Sequence, residues 1–239
     1  MHINSHDGLV VVPYSARFVE RTIMARSVRL GVRDVVFPSS ELRPIESCEE
    51  LLAVDDDGAS LRARFAKDGF VYLRGVLGPA AVMGARDHVM KALESRGGIF
   101  DNNTGLLLPE CGLGCVPNLE GRNGTTHAPE MLAVIDGAPL RSVMAKLLKT
   151  TPNEIRSFDY KWLRAVPRAL FTGVHVDAVY MSRGSPSLLT AWVPLERSAT
   201  LELGALALAR GSHASPGLAR VRATYGAFDT ESEPGFQGR

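Results

Sequence analysis

The 239 residues are enough for one domain with a sizeable core, and 45 % hydrophobic with 22 % charged residues is the composition of an ordinary globular chain. A net charge of +1 gives no field that would draw nucleic acid or an anionic membrane as partner. No run approaches the roughly 20 apolar residues of a membrane span, and the start, MHINSHDGLVVVPYSARF, lacks the basic and apolar segments of a secretory signal, so a cytoplasmic location is the default expectation.

In chain order, residues 1 to about 45 mix short β-prone runs (Leu9 to Val12, Val35 to Phe37) with charges and read as an irregular or two-stranded lead-in, the first part of an irregular entry over 1–56. Ser47 to Ala53 and Asp57 to Lys67 have the pattern of short helices. The second carries an Asp57 or Ser60 cap and Leu61 and Phe65 on one face. Gly69 ends it, and Phe70 to Leu73 follows as a strand finishing at Gly75. Pro79 opens a helix whose stripe is Val82, Ala85, Val89, Ala92 and Leu93, closed by Gly97-Gly98. Asn102 to Thr126, rich in Gly, Asn and Pro, is expected to be a long loop. With His127 at its end, it is either a substrate lid or a plain surface connection. A further helix starts at Pro139, buries Leu140, Val143, Met144, Leu147 and Leu148, and stops at Pro152.

Beyond Pro152 the texture changes. Ile155 to Val166, Val174 to Tyr180, Leu188 to Leu195 and Leu203 to Ala209 are strand candidates, and residues 211–239 read as loop or tail. Helices first and short strands afterwards argue for one α+β domain, mainly helical over 57–151, with the strands of 152–210 forming a sandwich or barrel. Cys48, Cys111 and Cys115 are too few for a disulfide framework. Cys111 and Cys115, four apart, are better read as packed thiols than as half of a zinc site.

The chemistry-bearing stretch is FTGVHVDAVYM, with His175 and Asp177 two apart. On a strand they share a face, so an imidazole and a carboxylate can converge as two of the three ligands of a 2-His-1-carboxylate Fe(II) site. On spacing alone, a histidine hydrogen-bonded to a neighbouring aspartate is the commoner outcome. No Gly-x-Ser-x-Gly elbow, phosphate-binding loop or dinucleotide fingerprint is present, which argues against a hydrolase or a nucleotide-binding enzyme.

Four stretches, FAKDGFVYLRGVLGPA (65–80), FTGVHVDAVYM, LLTAWVPL (188–195) and GALALARGSH (204–213), occur in the order and rough spacing of the phytanoyl-CoA dioxygenase family, which the chain resembles over about residues 57 to 215. The family comprises non-haem iron, 2-oxoglutarate-dependent oxygenases built on a double-stranded β-helix, or jelly-roll, wrapped by helices. The resemblance implies Fe(II) as metal and 2-oxoglutarate as cosubstrate, hydroxylation of a small organic molecule, His175 and Asp177 as iron ligands, and Trp192 beside the 2-oxoglutarate pocket. Thr190 becomes a candidate hydroxyl partner of the cosubstrate or a residue kept for β propensity. Tyr180 and Lys161 are weaker candidates, and His213 falls on a recurrent turn of the family with a structural or pocket-lining part. Relatives continue to a distal histidine and an arginine that pairs with 2-oxoglutarate. Here no histidine follows His213, and Arg210, Arg220, Arg222 and Arg239 lie outside that context. The expectation is therefore a jelly roll incomplete at its C-terminus, with three explanations: a fragment, strands supplied by another subunit, or loss of catalysis. An incomplete sheet also leaves association with a second copy open. The rival reading is a non-catalytic jelly-roll binding protein of the same family.

Overall fold

The computed structural model describes residues 8–12, 25–30, 33–98, 101, 116–118, 124–159, 161, 163–165, 187–195 and 206–219. These form a mixed α and β structure. In chain order the elements are β1 (Gly8–Val12), β2 (Arg26–Leu30), β3 (Arg33–Phe37), α1 (Ala59–Asp68), β4 (Phe70–Arg74), α2 (Pro79–Glu94), β5 (Val116–Asn118), α3 (Pro129–Ile135), α4 (Ala138–Leu148), β6 (Leu163–Ala165) and β7 (Thr190–Trp192). Short 3₁₀ turns occupy Glu49–Leu52, Ser212–Ala214 and Pro216–Leu218. No helix among the described residues is long and apolar enough to cross a membrane.

The helical layer follows its sequence periodicity closely. In α2, Pro79 takes the first turn, where its missing N–H costs nothing, and Val82, Ala85, Val89 and Leu93 are buried along one stripe. In α4 the buried residues are Leu140, Val143, Ala145 and Leu147, and the helix ends on Lys149 in the left-handed conformation (φ 54°), three residues before Pro152. One helix was not anticipated. The segment Pro129–Ile135 forms α3, with Met131 and Val134 buried one turn apart. A proline at the first helical position followed by Glu130 carries that signal.

At the start of α1 the expected Asp57 cap is present in a modified form. Gly58 (φ 75°) occupies the N-cap position, while the Asp57 carboxylate accepts from the Ala59 N–H at 3.0 Å and Asp55 accepts from the Ser60 N–H at 2.9 Å. Both carboxyls are held below the usual range, chiefly by the Ser60 side chain for Asp55 and the Ala59 N–H for Asp57. From α4, the Lys146 ammonium donates to the carbonyls of Leu52, Asp55 and Asp56 at 3.2, 3.1 and 3.1 Å, which pins this corner to the helical layer. Gly58 is required by that approach, because a Cβ there would lie 2.7 Å from Lys146 Cβ.

The strands depart further from expectation. Instead of staying in an irregular lead-in, β1 lies between β4 and β7 and runs parallel to both. The lead-in contributes its own two-stranded unit in the antiparallel β2–β3 hairpin, with an Arg29–Asp34 ion pair at 2.9 Å. Within the expected loop of 102–126, Val116–Asn118 pairs antiparallel with β6. Of the strand candidate Ile155 to Val166, only Leu163–Ala165 is strand among the described residues. Residues 206–209 of the candidate Leu203 to Ala209 are irregular, and Val174 to Tyr180 lies outside the described residues. Just before that first candidate, Thr150 and Thr151 engage Glu154 in a tight turn, and the Arg141 guanidinium takes the carbonyls of Pro152 and Ile155, so the backbone at its first residue is held by local contacts.

That turn gives a pH-dependent prediction. Hydrogen bonds from the Thr150 hydroxyl and from the Thr151 N–H and hydroxyl bring the Glu154 carboxyl from 4.5 down to about 2. Because the folded value is the lower one, the stabilisation is complete above pH 4.5 and is lost as pH falls through about 2. The Thr151 amide resonance in an NMR acid titration should move with a midpoint near 2 and should stop titrating in Glu154→Gln. A midpoint near 4.5 would show that the carboxylate is not held.

One core unites the helices and the sheet. Leu61 and Phe65 of α1, Val71 and Leu73 of β4, the α2 stripe, Met131 and Val134 of α3, and Leu140, Val143 and Leu147 of α4 form a single cluster. Leu189, Ala191, Val193 and Leu195 pack against its edge. β4 and β7 therefore turn one face to the helices, and the alternate residues of both strands lie on the other.

Candidate functional site

Side chains alternate across a strand, so the core contacts fix which residues face away from the helices. In β7 and its flanks, residues 189, 191, 193 and 195 meet the core, which directs Thr190 and Trp192 to the opposite face, both half-buried. In β4, Val71 and Leu73 meet the core, which directs Phe70, Tyr72 and Arg74 the same way. The parallel register lines these up through β1: Phe70, Gly8 and Thr190 form one row, and Tyr72, Val10 and Trp192 the next. Two strand spacings separate Tyr72 from Trp192, or roughly 9–10 Å between backbones.

The face is aromatic with a few polar groups. Phe70 is 5 % exposed, with the Arg210 guanidinium 5.8 Å from its ring centroid. Burial raises the Tyr72 phenol above its ordinary range, and the nearby Arg74 partly offsets that. The Thr190 hydroxyl and Trp192 indole supply hydrogen-bonding groups in half-buried surroundings, which suits a small polar ligand held against an apolar floor.

The corner beside this face was not legible as a unit in the sequence. Asp68, the last residue of α1, is 2 % exposed and pairs through one carboxylate oxygen with Arg64 Nε at 2.5 Å and with an Arg210 nitrogen at 3.2 Å. Its backbone carbonyl accepts from the Gly211 N–H at 2.8 Å. His213 turns its ring into the same corner, with Nε2 donating to the Ala66 carbonyl at 3.0 Å and Nδ1 buried without a hydrogen-bond partner among the described residues. Gly69 (φ 82°) makes room for it, since a Cβ there would sit 2.4 Å from Nδ1. The His213 imidazole is thus committed to α1 and β4. The spacing of Arg64 and Asp68, four apart on a helix, was the one available signal.

Of the other candidates, Lys161 donates to the Ser157 hydroxyl at 2.6 Å. Burial lowers its ammonium from the ordinary lysine range, with Asp136, Asp159 and Arg141 as charged neighbours, so it belongs to the α3–α4 turn. Cys48 is a core residue whose thiol is raised by burial and donates to the Tyr72 carbonyl at 3.4 Å. His127 Nδ1 lies 3.0 Å from the Thr126 hydroxyl. His175, Asp177 and Tyr180 lie outside the described residues, as do Cys111, Cys115 and residues 102–115 of the expected lid. Among the described residues, no three His, Cys, Asp or Glu side chains are grouped so as to hold a metal.

The donor set that the sequence offers, one imidazole and one carboxylate at His175 and Asp177, is chemically suited to Fe(II). Thr190 and Trp192 are half-buried on the face away from the helices, while His175 and Asp177 lie outside the described residues. No protein-family model, curated protein or solved structure matches the chain.

Proposed function

We propose that this chain is an Fe(II)- and 2-oxoglutarate-dependent dioxygenase that hydroxylates a small organic substrate, built on a double-stranded β-helix core. The observation that carries the reading is the clustering, among the described residues, of three of the four resembling stretches. Residues 65–80 build the end of α1, β4 and the start of α2; residues 188–195 contain β7; and residues 210–213 close onto Asp68 and Ala66. Stretches far apart in sequence share one sheet and its corner, as an oxygenase pocket built from them requires.

In this reading His175 and Asp177 hold the iron through a neutral imidazole and an ionised carboxylate. The Thr190 hydroxyl donates a hydrogen bond to a carboxylate oxygen of 2-oxoglutarate. Trp192 and Tyr180 line the pocket and keep water from it. The bound metal and cosubstrate would supply the oxidising chemistry: dioxygen would be the oxidant, one of its oxygen atoms entering succinate as 2-oxoglutarate releases carbon dioxide and the other entering a substrate C–H bond. Succinate released from 2-oxoglutarate in air, dependent on added Fe(II) and absent in Asp177→Ala, is the expected result, read by proton NMR. Equal succinate from both proteins would overturn it.

A non-catalytic binding protein of the same family is the second reading. One observation favours it: both nitrogens of His213 are turned into the α1–β4 corner, so this ring does not complete a ligand triad.

A further inference from the structure

We propose that Arg210–His213 forms a releasable strap, closed on the α1–β4 corner and covering the Phe70 end of the face that carries Thr190 and Trp192. Four contacts hold it shut: Gly211 N–H to the Asp68 carbonyl at 2.8 Å, Arg210 to the Asp68 carboxylate at 3.2 Å, the Arg210 guanidinium over the Phe70 ring, and His213 Nε2 to the Ala66 carbonyl at 3.0 Å.

The design of the corner lets this strap open without the usual penalty. Removing one partner of a buried ion pair normally leaves a stranded charge. Here the buried Asp68 carboxylate has two arginines, and the closer one, Arg64 at 2.5 Å, belongs to its own helix. Departure of Arg210, whose side chain is 50 % exposed already, leaves Asp68 neutralised and returns a guanidinium to water. Ala66 is exposed, so its carbonyl can be rehydrated, and His213 Nδ1, buried without a hydrogen-bond partner among the described residues, is brought to solvent on opening. Gly69 completes the fit, since any side chain at that position would displace the His213 ring. Opening uncovers Phe70 and with it one end of the face, the natural route for a ligand.

Hydrogen exchange on the whole chain, read by mass spectrometry over residues 206–213 and over α2, tests the strap without requiring iron or activity. The Gly211 amide should exchange well ahead of the α2 core amides, reporting local opening. Arg210→Gln should speed it by about tenfold, the effect of one charge-assisted hydrogen bond of about 1.4 kcal/mol, and leave α2 unchanged. Raising the salt concentration should speed it in the wild-type chain, because the Arg210–Asp68 contact is partly in water. If the Gly211 amide exchanges only in step with α2, or ignores both salt and the substitution, the segment is a fixed part of the core and the proposal is wrong. Should the variant fold poorly, the wild-type comparison of Gly211 with α2 and its salt dependence decide. Loss of iron binding with an intact exchange signature would overturn the dioxygenase reading alone.

Discussion

Replacing His175 with alanine is expected to weaken Fe(II) binding by on the order of 100-fold or more, since even loss of a residue that only supports a metal ligand costs about 10–100-fold. With His175 gone, the proposed site retains Asp177 as its assigned side-chain ligand, and a single carboxylate competes poorly with water for a divalent ion. Anaerobic calorimetric titration of the wild-type and variant chains with Fe(II) measures the difference directly. His213→Ala is the informative companion. Its ring is engaged with Ala66 and Gly69, so iron affinity should change little while the corner loosens. Equal affinity in wild type and His175→Ala would remove the metal assignment.

The largest effect on stability is expected at Leu73. This residue is 0 % exposed, lies on the helix-facing side of β4 and belongs to the one cluster that joins the sheet to the helices. Leu73→Ala removes buried methyl and methylene groups and leaves a cavity that a strand backbone, fixed by its pairing with β1, cannot collapse into. The cost should be about 2–5 kcal/mol, seen as a lowered urea midpoint with an unchanged slope. Val36→Ala, at a position 51 % exposed on β3, should change stability by less than about 0.5 kcal/mol and serves as control. A loss below about 1 kcal/mol at Leu73 would mean that β4 does not sit at the centre of the fold.

Sequence pattern revealed the helices better than the strands, for a physical reason. The stripes of α2 and α4 and the Leu61–Phe65 face of α1 are set by local periodicity, and each is buried largely as the pattern implies. Strand pairing is set by contacts distant in sequence. Nothing local to Gly8–Val12 says that it lies between Phe70–Arg74 and Thr190–Trp192, and β5 is a three-residue strand inside a stretch whose composition is that of a loop. The candidate site divides in the same way. Thr190 and Trp192 could be assigned to one face from strand alternation, and the core contacts of Leu189, Ala191 and Val193 agree. Tyr72 and Phe70 join that face only through the register across β1, and the Asp68 corner depends on a turn more than 140 residues away, as the Arg210–Asp68 bond shows.

Anaerobic titration of the purified chain with Fe(II) in the presence of 2-oxoglutarate tests the central claim most directly, followed by the weak visible charge-transfer absorption of the chelated cosubstrate. The dioxygenase reading predicts a saturable band that requires both components and disappears in His175→Ala. No band, together with no consumption of 2-oxoglutarate in air, would contradict it and leave the non-catalytic binding protein as the better description of this chain.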